Sequence, residues 1–142
     1  MRVLFALSVI HDLDARSVDF VLAFPQAPLD IDVFMELPYG FSVDGKTDGD
    51  SKGYVLKLNK SLYGLKQAGL NWYEKLKQGL EKRNFTPSKV DPCVFLSERV
   101  IVLTYVDDCI IMGKSEDDIK KLLNSLQEGN ENYDFTDEGY LK

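Results

Sequence analysis

Residues 100–112 read VIVLTYVDDCIIM, two apolar runs with an acidic pair between them, and this stretch decides the fold. Val100 to Val106 is β-branched and aromatic enough for a strand, and the apolar pattern resumes from Cys109 to Met112 before Gly113. Strand, two-residue turn at Asp107-Asp108, strand is the expected form. Tight hairpin turns favour Asn-Gly or Asp-Gly because their central residues take positive φ, so an Asp-Asp pair is a poor turn-maker by itself. Two carboxylates about 4 Å apart at such a tip repel by several kcal/mol at an effective dielectric of about 20. An isolated acid pair in a turn is more often a solvated loop than a site, so further residues have to decide.

Upstream, Cys93 to Leu96 is a short apolar run and Ser97-Glu98-Arg99 a turn, which makes a three-stranded meander with the hairpin. Downstream, Ser115 with Asp118 forms a capping box ahead of an amphipathic helix carrying Ile119, Leu122, Leu123 and Leu126. A strand after the acids, where a receiver domain would have a helix, disfavours that family of acidic sites. Leu65, Gly69, Trp72, Tyr73, Leu76 and Leu80 fall on one face of a helix over about 66–83, closed by Asn84 in a left-handed cap. Tyr54 to Leu58 and Val33 to Leu37 read as extended. Ser17 to Phe24, SVDFVLAF, reads as a strand stopped by Pro25 and Pro28, with Asp19 inside it. Met1 to Ile10 is expected to be a buried helix, and residues 42–53 an insertion-like loop. Strands and helices mix without strict alternation, so the expected class is α+β, an antiparallel sheet with helices packed on one face.

The chain has 142 residues, 44% of them hydrophobic, enough for one core and too few for two comfortable domains. Its net charge of −6 argues against a polyanion partner only until the distribution is read. From Tyr54 to Phe85 there are seven basic residues and two acidic ones, while the acidic surplus sits near 44–50 and after Ser115. The basic stretch has a plainer reading as a solvated helix face. No apolar run approaches the roughly 20 residues of a membrane span. Cys93 and Cys109 are expected as reduced thiols, and a zinc site would need more ligands than this chain has. His11 is assigned no role.

If Asp19 lies on a strand beside the hairpin, three carboxylates converge and a pair of divalent cations turns their repulsion into a binding site. Hard oxygen donors suit Mg²⁺. Two such ions about 3.5–4 Å apart suit in-line phosphoryl transfer.

Ordered blocks of sequence then carry a resemblance. They are Ser17 to Phe24 with Gln26, Val33 to Phe41, Lys57 to Ala68 with Trp72-Tyr73, Asp91 to Phe95, and Tyr105-Val106-Asp107-Asp108. The chain resembles the copia-type (Pseudoviridae) reverse transcriptases over nearly its whole length. Any one block, YVDD included, can arise by chance; SLYGLKQA at 61–68 and MELPYGF at 35–41 are the most distinctive. Pro25-Gln26-Ala27-Pro28 departs from the commoner form after the first aspartate, and Gly69 replaces the usual proline, so a looser helix start is expected.

The resemblance implies the palm of a right-hand polymerase over residues 1–142, lacking most of the fingers and the thumb. It implies Asp19, Asp107 and Asp108 as catalytic ligands of two Mg²⁺ ions, with Mn²⁺ as a substitute, and the Phe20 carbonyl as a further ligand. Leu22 and Ala23 would meet the incoming triphosphate through backbone amides, and Phe24 would gate the sugar against a 2′-hydroxyl. Tyr63 and Gly64 would support the nascent base pair, Lys66 the template, and Tyr105 and Val106 the primer end. The implied partners are RNA template, DNA primer, deoxynucleoside triphosphates and the rest of a retrotransposon polyprotein, without a membrane. The implied location is a cytoplasmic virus-like particle or the nucleus. Plainer readings make Phe24, Trp72 and Tyr73 core packing and Cys109 a small strand residue. The alternative function is a non-catalytic remnant of a decayed element that folds without polymerising.

Overall fold

The computed structural model describes residues 2–41, 54–128 and 132–141; the expected 42–53 loop lies outside them. In chain order the elements are α1 (Arg2–Ile10), β1 (Asp14–Phe20), α2 (Ala23–Gln26), β2 (Pro28–Glu36), β3 (Val55–Lys60) and α3 (Ala68–Glu81). Then come β4 (Thr86–Pro87), β5 (Val94–Leu96), β6 (Val100–Tyr105), β7 (Asp108–Gly113), α4 (Glu116–Gln127) and β8 (Phe135–Tyr140). The class is α+β: a six-stranded antiparallel sheet in the order β4-β5-β6-β7-β1-β8, and a separate β2-β3 pair.

The meander is present as expected, and β1 inserts beside it against β7. Side chains alternate across a strand, so each has an inner and an outer set. Val18, Phe20, Val100, Val102, Cys109 and Ile111 share one buried cluster with Trp72, Leu76 and Leu80 of α3 and Ile119, Leu122 and Leu126 of α4. Their alternate neighbours, Asp19, Asp108, Leu103 and Met112 among them, belong to the opposite face. Phe20 is the hub of an aromatic group, edge-on to Trp72 at 5.0 Å, Phe135 at 5.8 Å and Tyr133 at 6.1 Å. Such pairs add about 0.5–1.5 kcal/mol each beyond the area they bury.

Local signals work where side chains supply the missing bonds. Ser115 caps α4 by accepting from the Asp118 amide, and Asn84 takes φ +63 after α3. α3 starts at Ala68 despite Gly69, its Ala68 amide donating to Leu65 O at 3.2 Å. Three expectations are corrected. α1 is a helix but not a buried one: Val9 and Ile10 are 82% and 74% exposed, and only Ser8 is buried. Its apolar residues surround it without forming one stripe to pack. The strand expected over 17–24 ends at Phe20, because Leu22 takes φ +50 and starts the one-turn helix α2, which admits Pro25 in its first turn. The hairpin turn is Val106-Asp107, with Asp108 already on β7 opposite Tyr105.

Candidate active site

Register places the acids. On β1 and β7, Val18 stands opposite Cys109 and Asp19 opposite Asp108. Burial of Val18 and Phe20 turns Asp19 to the other face, and burial of Cys109 does the same for Asp108. Directly opposed residues have Cβ atoms about 4.5–5.5 Å apart, so the two carboxylates are neighbours. Asp107 follows on the turn, its carbonyl accepting from the Phe20 amide at 2.8 Å. Partial burial, and then the negative fields of Glu138, Asp108 and Asp107, hold the Asp19 carboxyl above its ordinary range.

Glu138 was not legible as a site neighbour, because β8 itself was not assigned from sequence. It faces the acids from that strand, where the Ser17 hydroxyl donates to it at 2.8 Å. Among the described residues no group of three His, Cys, Asp or Glu side chains is placed to hold a metal ion by itself. The donors fit a hard divalent cation by type, since they are carboxylate oxygens whose mutual repulsion such a cation would relieve.

The block at 61–68 approaches from the other side. Ser61 is buried, its amide donating to Ala27 O at 2.9 Å, and Gly64 at φ +98 closes the turn from Leu62 to Leu65. That turn projects Tyr63, whose hydroxyl donates to Asp107 Oδ1 at 2.7 Å. Burial and this bond push the phenol above its ordinary value, while the backbone amides of Phe24 and Ala23 pull it partly back. The Phe24 ring lies 4.4 Å from that of Tyr63, tilted by 33°. Asp19, Asp107, Asp108, Phe20, Ala23, Phe24 and Tyr63 are thus brought together. Tyr105 and Val106 sit at the hairpin tip, exposed, and Leu22 is exposed at the start of α2. Lys66 is exposed beyond the turn, with no hydrogen bond or ion pair to the acids.

Over residues 1–141 the chain matches the family model described as reverse transcriptase (RNA-dependent DNA polymerase). The chain belongs to that family. It is 38% identical over 144 residues to the retrovirus-related Pol polyprotein from transposon TNT 1-94 of Nicotiana tabacum, covering 98% of this chain and 10% of that protein. Against the polyprotein from transposon RE1 of Arabidopsis thaliana it is 36% identical over 132 residues, 90% of this chain and 9% of the other. Against the transposon Ty1-NL2 Gag-Pol polyprotein of Saccharomyces cerevisiae it is 39% identical over 74 residues, 51% of this chain and 4% of the other. The chain therefore spans about a tenth, or less, of the length of these curated relatives. No solved structure matches it.

Within this chain, much of the basic stretch serves the fold. Arg83 donates to Ser125 Oγ at 3.0 Å and to Gly79 O at 2.7 Å, Lys75 donates to Gln26 O at 2.9 Å, and Lys57 pairs with Asp32. Gln26 donates to Val21 O and Asp134 O and accepts from the Asp134 amide, clipping α2 to the approach of β8. The Asp91 carboxylate accepts from the Cys93 amide at 2.9 Å, so that block is a turn device at the edge of β5. Cys109 is buried and its thiol is pushed up to about 12, which leaves it inert beside the acids. An apolar cavity of about 380 Å³ opens behind Phe24, between α3 and β6. A larger one of about 710 Å³ on the other side of α3 is lined by Gln26, Pro28 and Lys60 among others, and by none of the residues expected to contact metal, nucleotide, template or primer.

Proposed function

We propose that this chain is a palm-centred piece of a copia-type retrotransposon polyprotein and takes part in RNA-directed DNA synthesis. The observation that carries the proposal is the Asp19–Asp108 register, with Asp107 on the adjoining turn. Asp19, Asp107 and Asp108 would hold two Mg²⁺ or Mn²⁺ ions, with the Phe20 carbonyl as an added donor. When bound, the ions supply activation of the primer 3′-hydroxyl and neutralisation of the triphosphate.

The rest is done by the chain. Leu22 and Ala23 present backbone amides at the start of α2 to the phosphates, and the Phe24 ring stacks under the deoxyribose and excludes a 2′-hydroxyl. Tyr63 and Gly64 support the new base pair, Lys66 the template, and Tyr105 and Val106 the primer end. RNA template, DNA primer and deoxynucleoside triphosphates are the partners, inside a virus-like particle or the nucleus. Fingers and thumb come from other parts of the polyprotein in this reading.

Primer extension on an RNA template with Mg²⁺ and with Mn²⁺ tests this. Extension is expected from a full-length polyprotein carrying the segment, and Asp107→Asn should reduce it about 100-fold or more. The 142-residue chain alone should not extend, since in-line positioning lost by about 1 Å already costs roughly a hundredfold. Full-length extension equal with and without Asp107→Asn would overturn the proposal.

A further inference from the structure

The turn bearing the acids is gripped by a part-buried hydrogen bond that the acids themselves do not explain. Trp72 is 3% exposed, and its ring is edge-on to Phe20 at 5.0 Å and to Tyr133 at 6.1 Å. Its indole N–H, which can only donate, donates to the Val106 carbonyl at 2.8 Å across 34 residues of sequence. Val106 has φ +55, a left-handed conformation that β-branched residues rarely adopt. One residue on, the Asp107 carbonyl accepts from the Phe20 amide at 2.8 Å. Two successive carbonyls of the turn are therefore held, one from α3 and one from β1, and the Asp107 side chain lies between them.

Packing alone does not require an indole here. A phenylalanine ring would fill much of the same space but could not hold the Val106 carbonyl. The buried indole N–H needs a partner, and the Val106 carbonyl of the strained turn is the one it takes.

We infer that Trp72 is a positioning residue for the acidic turn: its N–H holds Val106 in the left-handed conformation and so sets where Asp107 and Asp108 point before a cation binds. The inference rests on reading those aspartates as cation ligands, and the test separates the two claims. The readout is Mn²⁺ affinity of the full 142-residue chain, from the electron paramagnetic resonance of free Mn²⁺. Trp72→Phe should weaken Mn²⁺ binding about tenfold, the scale of losing one held strained residue. Leu76→Val, a core trim on the same helix, should leave the affinity unchanged. Adding Val106→Asn to Trp72→Phe should restore most of the loss, because asparagine tolerates the left-handed region without a clamp.

Trp72→Phe binding Mn²⁺ like the parent, or Leu76→Val weakening it equally, would overturn the inference and leave the ligand reading standing. No Mn²⁺ binding by the parent, or binding untouched by Asp107→Asn, would overturn both. Should Trp72→Phe fail to fold, the chain's one tryptophan still gives a unique indole proton resonance. Slow solvent exchange of that proton, with broadening by Mn²⁺, is expected, and fast exchange would sink the inference.

Discussion

Replacing Asp19 by Asn should stabilise the cation-free chain at neutral pH and blunt its response to Mg²⁺. Asp19 stands directly opposite Asp108, with Asp107 and Glu138 adding negative field, and its carboxylate has no hydrogen-bond partner among the described residues. Asparagine keeps the shape and removes the charge. At a separation of about 5 Å in a solvent-exposed setting, the relief is about 1 kcal/mol. For a chain of this length that raises the unfolding midpoint by about 3 °C.

The pH dependence gives a second check. The folded chain holds the Asp19 proton more tightly than the unfolded chain, because burial and neighbouring acids raise its pKa. Stability is therefore lost as pH climbs from the ordinary carboxylate value through the raised one. The gain from asparagine should be complete at pH 7 and shrink to nothing in acid, where both states are protonated. Thermal unfolding by circular dichroism in EDTA, at pH 7 and at successively lower pH, reads both effects. Mg²⁺ should then raise the midpoint of the parent by mass action and move the variant less. Loss of stability on Asp19→Asn at pH 7, or a gain that persists unchanged in acid, would refute the crowded-carboxylate argument.

Phe24→Val in the full-length polyprotein should admit ribonucleotides while deoxynucleotide incorporation persists; unchanged discrimination in single-nucleotide extension would make Phe24 plain core. Tyr63→Phe keeps the ring on Phe24 and frees Asp107 Oδ1, so Mn²⁺ affinity should rise about threefold by removal of a competing charge-assisted bond. An affinity that stays level or falls would show that the phenol does not compete. Gly79→Ala drives a Cβ into the hydroxyl of buried Tyr133, so urea unfolding should show a loss of about 1–3 kcal/mol despite the better helix former. An unchanged or higher midpoint would mean that Tyr133 is looser than its place beside Phe20 and Trp72 implies.

How far the sequence was legible depends on whether a feature had a local cause. The hairpin, the α3 stripe, the Ser115 cap and the Asn84 stop each follow from side chains within a few residues, and each is present. The strand end at Phe20 was missed because SVDFVLAF carries strand-forming residues throughout, and the left-handed turn at Leu22 is imposed from outside. There the Val21 amide pairs with Asp134 O and the Gln26 side chain reaches back to Val21 O. β8 was unassigned because TDEGY is polar; its pairing with β1 is fixed by Arg16 and Ser17 meeting Asp137 and Glu138 across 121 residues. The exposure of α1 ran against its composition, since hydrophobicity without a stripe does not say which side packs. For the site, residue types marked the three aspartates, whereas Tyr63 on Asp107 and Trp72 on Val106 are tertiary bonds spanning 44 and 34 residues.

Those tertiary bonds explain why the local rules break where they do. Among the described residues, five other than glycine have positive φ: Asp12, Leu22, Asn84, Val106 and Asn132. Three are aspartate or asparagine, whose short polar side chains visit that region readily. The other two, Leu22 and Val106, are large and apolar, and each such placement costs on the order of 1–3 kcal/mol. Leu22 starts the helix that carries Phe24, and Val106 starts the turn that carries Asp107. Strain at both positions, together with like charges opposed across β1 and β7, gathers into one corner of a sheet whose other face is closed by Phe20, Trp72, Tyr133 and Phe135. Each rule broken has the same local product, a side chain aimed at the space between α2, the hairpin and Tyr63. Relaxing Leu22, Val106 or the aspartates would stabilise the bare fold, so their convergence on one corner has no explanation in core packing and supports the polymerase role proposed for it.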